Sequence, residues 1–302
     1  MRFEVEVKPA AKAYKYTVAF DFPSGFRQLR VFHEKLSVDG NPVFERELAQ
    51  VRLTRIGTGR DSNFSLDWHT VALPIVQSPE STTDDPISIF KQWLAALLIL
   101  RPIPSRALGS SELGTVLPHN ELLDLGEWFT GLFARVPEAY EEMSEFLRDT
   151  MPDLQGVRNI SVGGNHKRLT LLFKVNDSSF SAAFEDISDG EKCFAICALV
   201  IAANGASTPF LCFWDESDNF VGTSEIGNMI MALRRSFRKH GQLIVTSHNT
   251  EAIGQFSEEA TLVLYRNSHL EPTILRTVEE LRAGGQLSGS LIDAVVRGDA
   301  AP

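Results

Sequence analysis

Three cysteines in 302 residues, an odd number, are far too few to staple a chain of this length, so its stability has to come from an apolar core. Long apolar runs are also missing. The two most apolar stretches, 93–100 and 194–203, stop well short of the roughly 20 residues that a membrane-spanning helix needs. The N-terminal string MRFEVEVKPAAK alternates apolar and polar residues, which describes a strand and not the continuous apolar segment of a secretory signal. These three absences together predict a cytoplasmic chain with no membrane partner. Positive charge is in short supply as well, with 29 Lys and Arg against 39 Asp and Glu, a net charge of −10. Such a chain repels phosphate backbones at long range, which excludes a general nucleic-acid binder and leaves room only for a local basic patch. Finally, no Gly-x-x-x-x-Gly-Lys-Ser/Thr string occurs. GTGRDS (57–62) and GGNHKR (163–168) come nearest, and their spacing is that of turns.

What is present is an ordinary globular composition, 43% hydrophobic and 23% charged, long enough for one large domain or two smaller ones. Residues 1–78 alternate. The segments 3–7, 14–20, 26–38 and 44–56 read as strands of an antiparallel sheet with one wet face, joined by turns at 23–25 and 39–42. The polar, breaker-rich stretch 78–86 reads as a linker. From Ile87 the period becomes helical, so 79–156 is predicted as a helical insertion with helices at 87–100, 121–133 and 138–151 around a Gly, Ser and Pro-rich loop. Over 157–302 two or three strands come first, with 168–175 the clearest. Then helix 188–203, apolar strand 210–214, helix 223–240, apolar strand 243–246, a short helix at 249–256 and a strand at 260–265 follow in turn. Wholly apolar strands between helices predict a mostly parallel sheet buried on both faces, an α/β fold.

In such a sheet ligands bind beyond the carboxyl ends of the strands, so the residues just after each apolar strand draw attention. Asp215 and Glu216 follow the first, and Ser247 and His248 follow the second. Adjacent carboxylates at a strand end point in different directions while the strand persists. One can hold Mg²⁺ while its neighbour accepts a proton from an attacking water, or the pair is simply a solvated acidic turn. His248 can donate a hydrogen bond to a terminal phosphate, or merely cap the next helix. Ser188 and Glu191 spell a capping box at the mouth of an apolar helix, and Gly190 leaves that mouth free of a side chain. Asp189 and Glu191, being acidic, oppose an anion there.

The succession of capped Ser-x-Gly helix, strand ending in Asp-Glu, helix, and strand ending near His resembles the second half of an ABC-type ATPase head, a P-loop NTPase fold. The likeness is to soluble AAA-15/21-type ATPases, related to RecF, SMC and OLD-type proteins. ISDGEK (187–192) is similar to their signature motif, FLCFWDE (210–216) to the Walker B strand and IVTSHN (244–249) to the switch-histidine strand. HEKL (33–36) and DLGEWFTGLF (124–133) fit the earlier parts. The resemblance implies ATP and Mg²⁺ as cofactors, Asp215 as metal ligand through water, Glu216 as general base and His248 at the γ-phosphate. It further implies that Ser188 and Gly190 reach a nucleotide held by a second head, hence a homodimer, with DNA or an effector protein as partner. Three departures stand out. The phosphate loop is absent, and the resemblance places it near where Met1 stands, so an N-terminal segment is expected to be missing. Ser217 replaces the usual Pro, and Gly222 the usual His or Asp.

Two other functions remain open on these residues: a catalytically inactive scaffold, and a metal nuclease using Asp215, Glu216 and Asp218. Other features read as structure. Cys193, Cys197 and Cys212 have no ligand partners at metal spacing and suit buried apolar positions. Trp93, Trp128 and Trp214 suit the core. Arg234, Arg235, Arg238, Lys239 and His240 suit the negative end of a helix better than a nucleic-acid patch. His33-Glu34 lacks the second His of a zinc-protease helix.

Overall fold

The computed structural model describes residues 1–9, 11–54, 61–77, 85–206, 211–238 and 240–298. The expected linker falls almost entirely outside them, as do Lys239 and most of GTGRDS. The chain divides into two units, Met1–Leu97 and Leu98–Pro302.

Alternation in the first unit produces six strands, β1 (Arg2–Val7), β2 (Tyr14–Asp21), β3 (Arg30–Val38), β4 (Asn41–Glu47), β5 (Gln50–Leu53) and β6 (Ser62–Ser65). They pair antiparallel in sequence order. The stretch expected as one strand over 44–56 is instead a tight hairpin. Leu48 takes a positive φ of 50°, so the chain reverses there without the Gly, Asn or Asp that normally announces such a turn. Helix α1 (Pro86–Ala95) starts where Asp85 accepts the Ser88 N–H at 2.8 Å, with Pro86 supplying a φ already fixed for the first helical position. Its Phe90 enters the core beside Tyr14 and Tyr16, with ring centroids 6.3 and 5.4 Å away.

Two charged side chains are fully buried in that core, Glu34 and Arg46, at 0% exposure. The Glu34 carboxylate accepts hydrogen bonds from the Tyr16 hydroxyl (2.9 Å) and from the N–H groups of Ala72 (2.7 Å) and Leu73 (2.8 Å). Arg46 donates to the carbonyls of Leu48, Thr70 and Asp67 and lies 4.0 Å from Glu34. Burial and the neighbouring carboxylate hold the Tyr16 phenol far above its ordinary pKa.

The second unit holds β7 (Leu98–Leu100), β8 (Ser110–Ser111), α2 (Leu125–Arg135), α3 (Ala139–Thr150), β9 (Leu154–Gly163), β10 (His166–Val175) and β11 (Ser178–Ala183). After these come α4 (Asp189–Ala206), β12 (Leu211–Trp214), α5 (Thr223–Phe237), β13 (Gln242–Val245), α6 (Thr250–Gly254), β14 (Leu262–Tyr265), β15 (Ile274–Thr277), α7 (Val278–Ala283) and α8 (Leu291–Arg297). Helix α4 is central. Its residues from Lys192 to Asn204 are all buried, and their small and branched side chains let α3 and α5 pack closely. Strands β8–β11 form an antiparallel sheet, with Val157, Leu169 and Leu171 turned to the core that also takes Leu125, Met143 and Leu199.

The parallel sheet has the order β13-β12-β7. The expected helix over 87–100 therefore ends early, at Ala95. Leu98–Leu100 is a strand because its Leu-Ile-Leu run, apolar enough for either state, is held in register by Cys212, Phe213 and Trp214. The segment expected at 260–265 does not join this sheet. As β14 it pairs antiparallel with β15 in a separate two-stranded sheet. Nor is the parallel sheet covered on both faces. Cys212 and Trp214 are buried on one side, whereas Ile99 and Ile244, which flank Phe213 in register on the other, are 55% and 49% exposed. The outer edge of β13 is unpaired among the described residues. No helix among them is long and apolar enough to cross a membrane. The architecture is α/β, with both parallel and antiparallel sheets.

Candidate functional site

The carboxyl ends of β12 and β13 are tied together by one side chain, Thr246. Its backbone N–H donates to the Trp214 carbonyl at 3.1 Å, continuing the ladder one step past the strands. Its hydroxyl accepts the Glu216 N–H at 2.7 Å and donates to Asp215 Oδ1 at 2.6 Å. The Asp215 N–H is in turn held by the Leu100 carbonyl at 2.8 Å, so all three parallel strands contribute to the position of this carboxylate. Arg101, the first residue after β7, brings Nε to 3.7 Å from Asp215 Oδ2. That pair is largely solvent-exposed and adds little stability.

Glu216 leaves the strand through a left-handed turn, φ 52°, a strained conformation for a residue with a Cβ. Its Oε2 accepts from Asn219 Nδ2 at 2.8 Å, and its carbonyl accepts the Asn219 N–H at 3.1 Å. Next along the chain, Ser217 is 1% exposed, and among the described residues neither its hydroxyl nor the buried Asp218 Oδ1 has a hydrogen-bond partner; Asn159 Oδ1 and Asn204 Oδ1 are likewise unpartnered elsewhere.

The first turn of α4 approaches the same loop. A Cβ at Gly190 would lie 3.2 Å from the Phe220 carbonyl oxygen, and Cys193 Sγ donates to the Asn219 carbonyl at 3.6 Å. The capping box is reciprocal. The Ser188 hydroxyl accepts the Glu191 N–H (3.2 Å) and the Glu191 carboxylate accepts the Ser188 N–H (2.8 Å). Behind it, Lys192 is buried, 3.7 Å from Asp189 and 5.9 Å over the Phe184 ring. On the β13 side, Ser247 Oγ accepts the Asn249 N–H at 2.9 Å and Asn249 caps α6 through the Glu251 N–H at 2.8 Å, with His248 on the turn between them and no hydrogen bond to it among the described residues.

Asp215, Glu216 and the His248 turn are thus gathered through Thr246, and Gly190 abuts the loop that follows Glu216. No hydrogen bond or ion pair among the described residues joins Ser188 or His248 to either carboxylate. Sequence reasoning missed Thr246, Asn219 and Arg101. The only signal for Thr246 was a hydroxyl at the end of an otherwise apolar strand. For a metal, the described residues hold no group of three or more His, Cys, Asp or Glu side chains able to cage an ion. Asp215 fits the lighter demand of Mg²⁺, which takes one or two carboxylates and completes its shell with water and phosphate oxygens. The three cysteines are buried, and burial pushes the thiols of Cys193 and Cys212 up to about 12, which marks them as inert core groups.

Neither a protein-family model nor a curated protein matches the sequence. Among solved structures, an Smc head bound to the C-winged helix domain of ScpA is similar at a TM-score of 0.48 and 14% identity, over 91% of this chain and 77% of that one. The SMC head domain from Thermotoga maritima follows at 0.38 and 14%, over 89% and 75%. An Smc head with coiled coil and joint from Pyrococcus yayanosii gives 0.40 and 16%, over 59% of this chain and 31% of that chain, so the present chain spans under a third of it. None of these scores reaches 0.5, and what the site does has to be read from its own residues.

Proposed function

We propose that this chain is the rear part of an ABC-type ATPase head, a P-loop NTPase fold of the AAA-15/21 kind, which hydrolyses ATP once a phosphate-binding loop is brought to the rim of its parallel sheet. The observation that carries this reading is the Thr246 clamp. One hydroxyl holds the Asp215 carboxylate and the Glu216 N–H while the Glu216 backbone turns left-handed, an arrangement that suits one acid to hold a metal and its neighbour to accept a proton. Asp215 would hold Mg²⁺ through water, and a bound Mg²⁺ supplies neutralisation of phosphate charge. Glu216, oriented by Asn219, would accept the proton of the attacking water. His248, on a turn fixed by Ser247 and Asn249, would donate to the γ-phosphate. Ser188 and Gly190, at the mouth of α4, would meet a nucleotide held by a second copy, which makes a homodimer the working form. A DNA or effector-protein assembly as its load rests on fold-level analogy.

The unpaired edge of β13 and the exposed Ile99 and Ile244 support the same reading, since a further strand and a covering helix would carry a phosphate loop to this rim. The test is ATP turnover by a form extended at its N-terminus to include a glycine-lysine loop. Glu216→Gln is expected to lower kcat by about 10²–10⁴-fold while leaving nucleotide-dependent dimerisation in place. Full turnover in that variant discards the role given to Glu216.

A second reading is an inactive ATPase-like scaffold, which failure of the extended form to bind ATP would select. A third is a nuclease built on Asp215, Glu216 and Asp218, which phosphodiester cleavage without nucleotide would select.

A further inference from the structure

The second unit has a concave feature well separated in sequence from the carboxylate pair. Where α3 ends and β9 and β10 begin their pairing, a cleft of about 590 Å³ is lined by Arg148, Arg158 and Lys174, with Asp153, Asn176 and Gly156 between them. The local sequence builds it in three steps. First, the β9–β10 register shifts between Leu172 and Phe173, so Gln155 is the extra residue of a bulge that bends the strand away from its partner. Second, the Tyr140 hydroxyl on α3 clamps β9, donating to the Val157 carbonyl at 2.9 Å and accepting its N–H at 3.1 Å. Third, Gly156 keeps the floor low, because a Cβ there would already stand 3.3 Å from that hydroxyl. Side-chain alternation then places Arg158 and Lys174 on one face of the strand pair, while Arg148 reaches in from the last turn of α3.

The cleft gathers three cations around one acid in a chain whose net charge is −10. Elsewhere, Lys15 and Arg282 are paired with carboxylates at 2.5 Å each. Among the described residues no ion pair holds Arg148, Arg158 or Lys174, and Asp153 is the acid lining the cleft with them. A net-negative protein that gathers unpaired cations around a hollow has built a local positive potential that only an anion relieves. The lining carries no aromatic ring, so bases or other planar groups find no stacking surface, and attraction has to come from charge. The volume suits a small molecule or a few units of a flexible strand.

We propose that this cleft binds a linear polyphosphate anion, with Arg148, Arg158 and Lys174 each meeting a phosphate group. Free polyphosphate and the backbone of a single-stranded nucleic acid share that chemistry. Inorganic tripolyphosphate, followed by calorimetry, and a labelled short oligothymidylate, followed by anisotropy, separate the two sources. At least one probe is expected to bind the wild-type chain. For the oligonucleotide, log K should fall with log salt at a slope of about −2, from roughly 0.7 per phosphate neutralised over three cations. Arg148→Ala, Arg158→Ala and Lys174→Ala combined, all at exposed positions, should abolish that binding with the circular dichroism spectrum unchanged. Asp153→Asn, which removes the opposing charge, should tighten binding severalfold, a gain that misfolding does not produce. Binding of neither probe, or equal binding and an equal salt slope in the triple variant, overturns the proposal.

Discussion

The six-stranded antiparallel sheet of the first unit and the three-stranded parallel sheet of the second treat polar groups in opposite ways. In the first, Glu34 and Arg46 are wholly enclosed and well partnered: three donors converge on the carboxylate, and the guanidinium donates to three carbonyls. In the second, Ser217 Oγ and Asp218 Oδ1 are buried without partners, Glu216 is strained, and Ile99 and Ile244 stand in solvent. A sheet whose interior groups are all matched is finished as a structure. Among the described residues, the parallel sheet instead keeps unpartnered oxygens at its carboxyl rim and apolar residues on an open face, the features a binding site would use.

The contrast can be broken at four places. The largest expected effect is kinetic and belongs to the packed side of the parallel sheet. With burial pushing Cys193 and Cys212 up to about 12, their thiolate fractions at pH 8 should be roughly a thousandfold below that of an ordinary thiol, so a disulfide reagent should label them only after denaturation. A fast-reacting thiol in the folded protein would show that this side is open too. Next, Glu34→Ala leaves Arg46 buried without its counter-charge and should cost about 3–5 kcal/mol of stability in urea unfolding. A loss under 1 kcal/mol, roughly the scale of an exposed pair, would mean the pair is not enclosed. Third, Thr246→Val strips Asp215 of a donor and the Glu216 N–H of its acceptor, for about 1–3 kcal/mol. An unchanged unfolding midpoint would sever the link between β12 and β13. Smallest is Ile244→Ser on the open face, which should stay within about 0.5 kcal/mol in this chain taken alone. A large loss there would reveal a covered face and erase the comparison.

The part of the site legible in the sequence was the part encoded locally. Phe-Leu-Cys-Phe-Trp before Asp215 and Ile-Val before Thr246 read as short apolar strands, though their burial on both faces was not borne out, and Ser188 with Glu191 read as a helix start. Most of the six-strand sheet was likewise visible in its alternation; the reversal at Leu48, where no turn residue marks it, and the short strand β6 were not. What escaped depended on distant partners. Leu98–Leu100 carries no periodicity of its own to tell strand from helix, and a strand over a hundred residues later decides the matter. The pairing of β14 with β15 was missed for a different reason: β15 follows nearby, but its segment 274–277 was not recognised as a strand. The cleft of Arg148, Arg158 and Lys174 was invisible because its cations are scattered over 26 positions and a bulge brings them together.

Thr246 has one further consequence. A single hydroxyl that accepts from the Glu216 amide and donates to Asp215 is a relay, since its two hydrogen bonds polarise one another. A cation held at Asp215 would make that carboxylate a poorer acceptor, and the hydroxyl's hold on the Glu216 amide would weaken with it. The charge state of one acid would thus be felt at the backbone of its neighbour across a single oxygen atom.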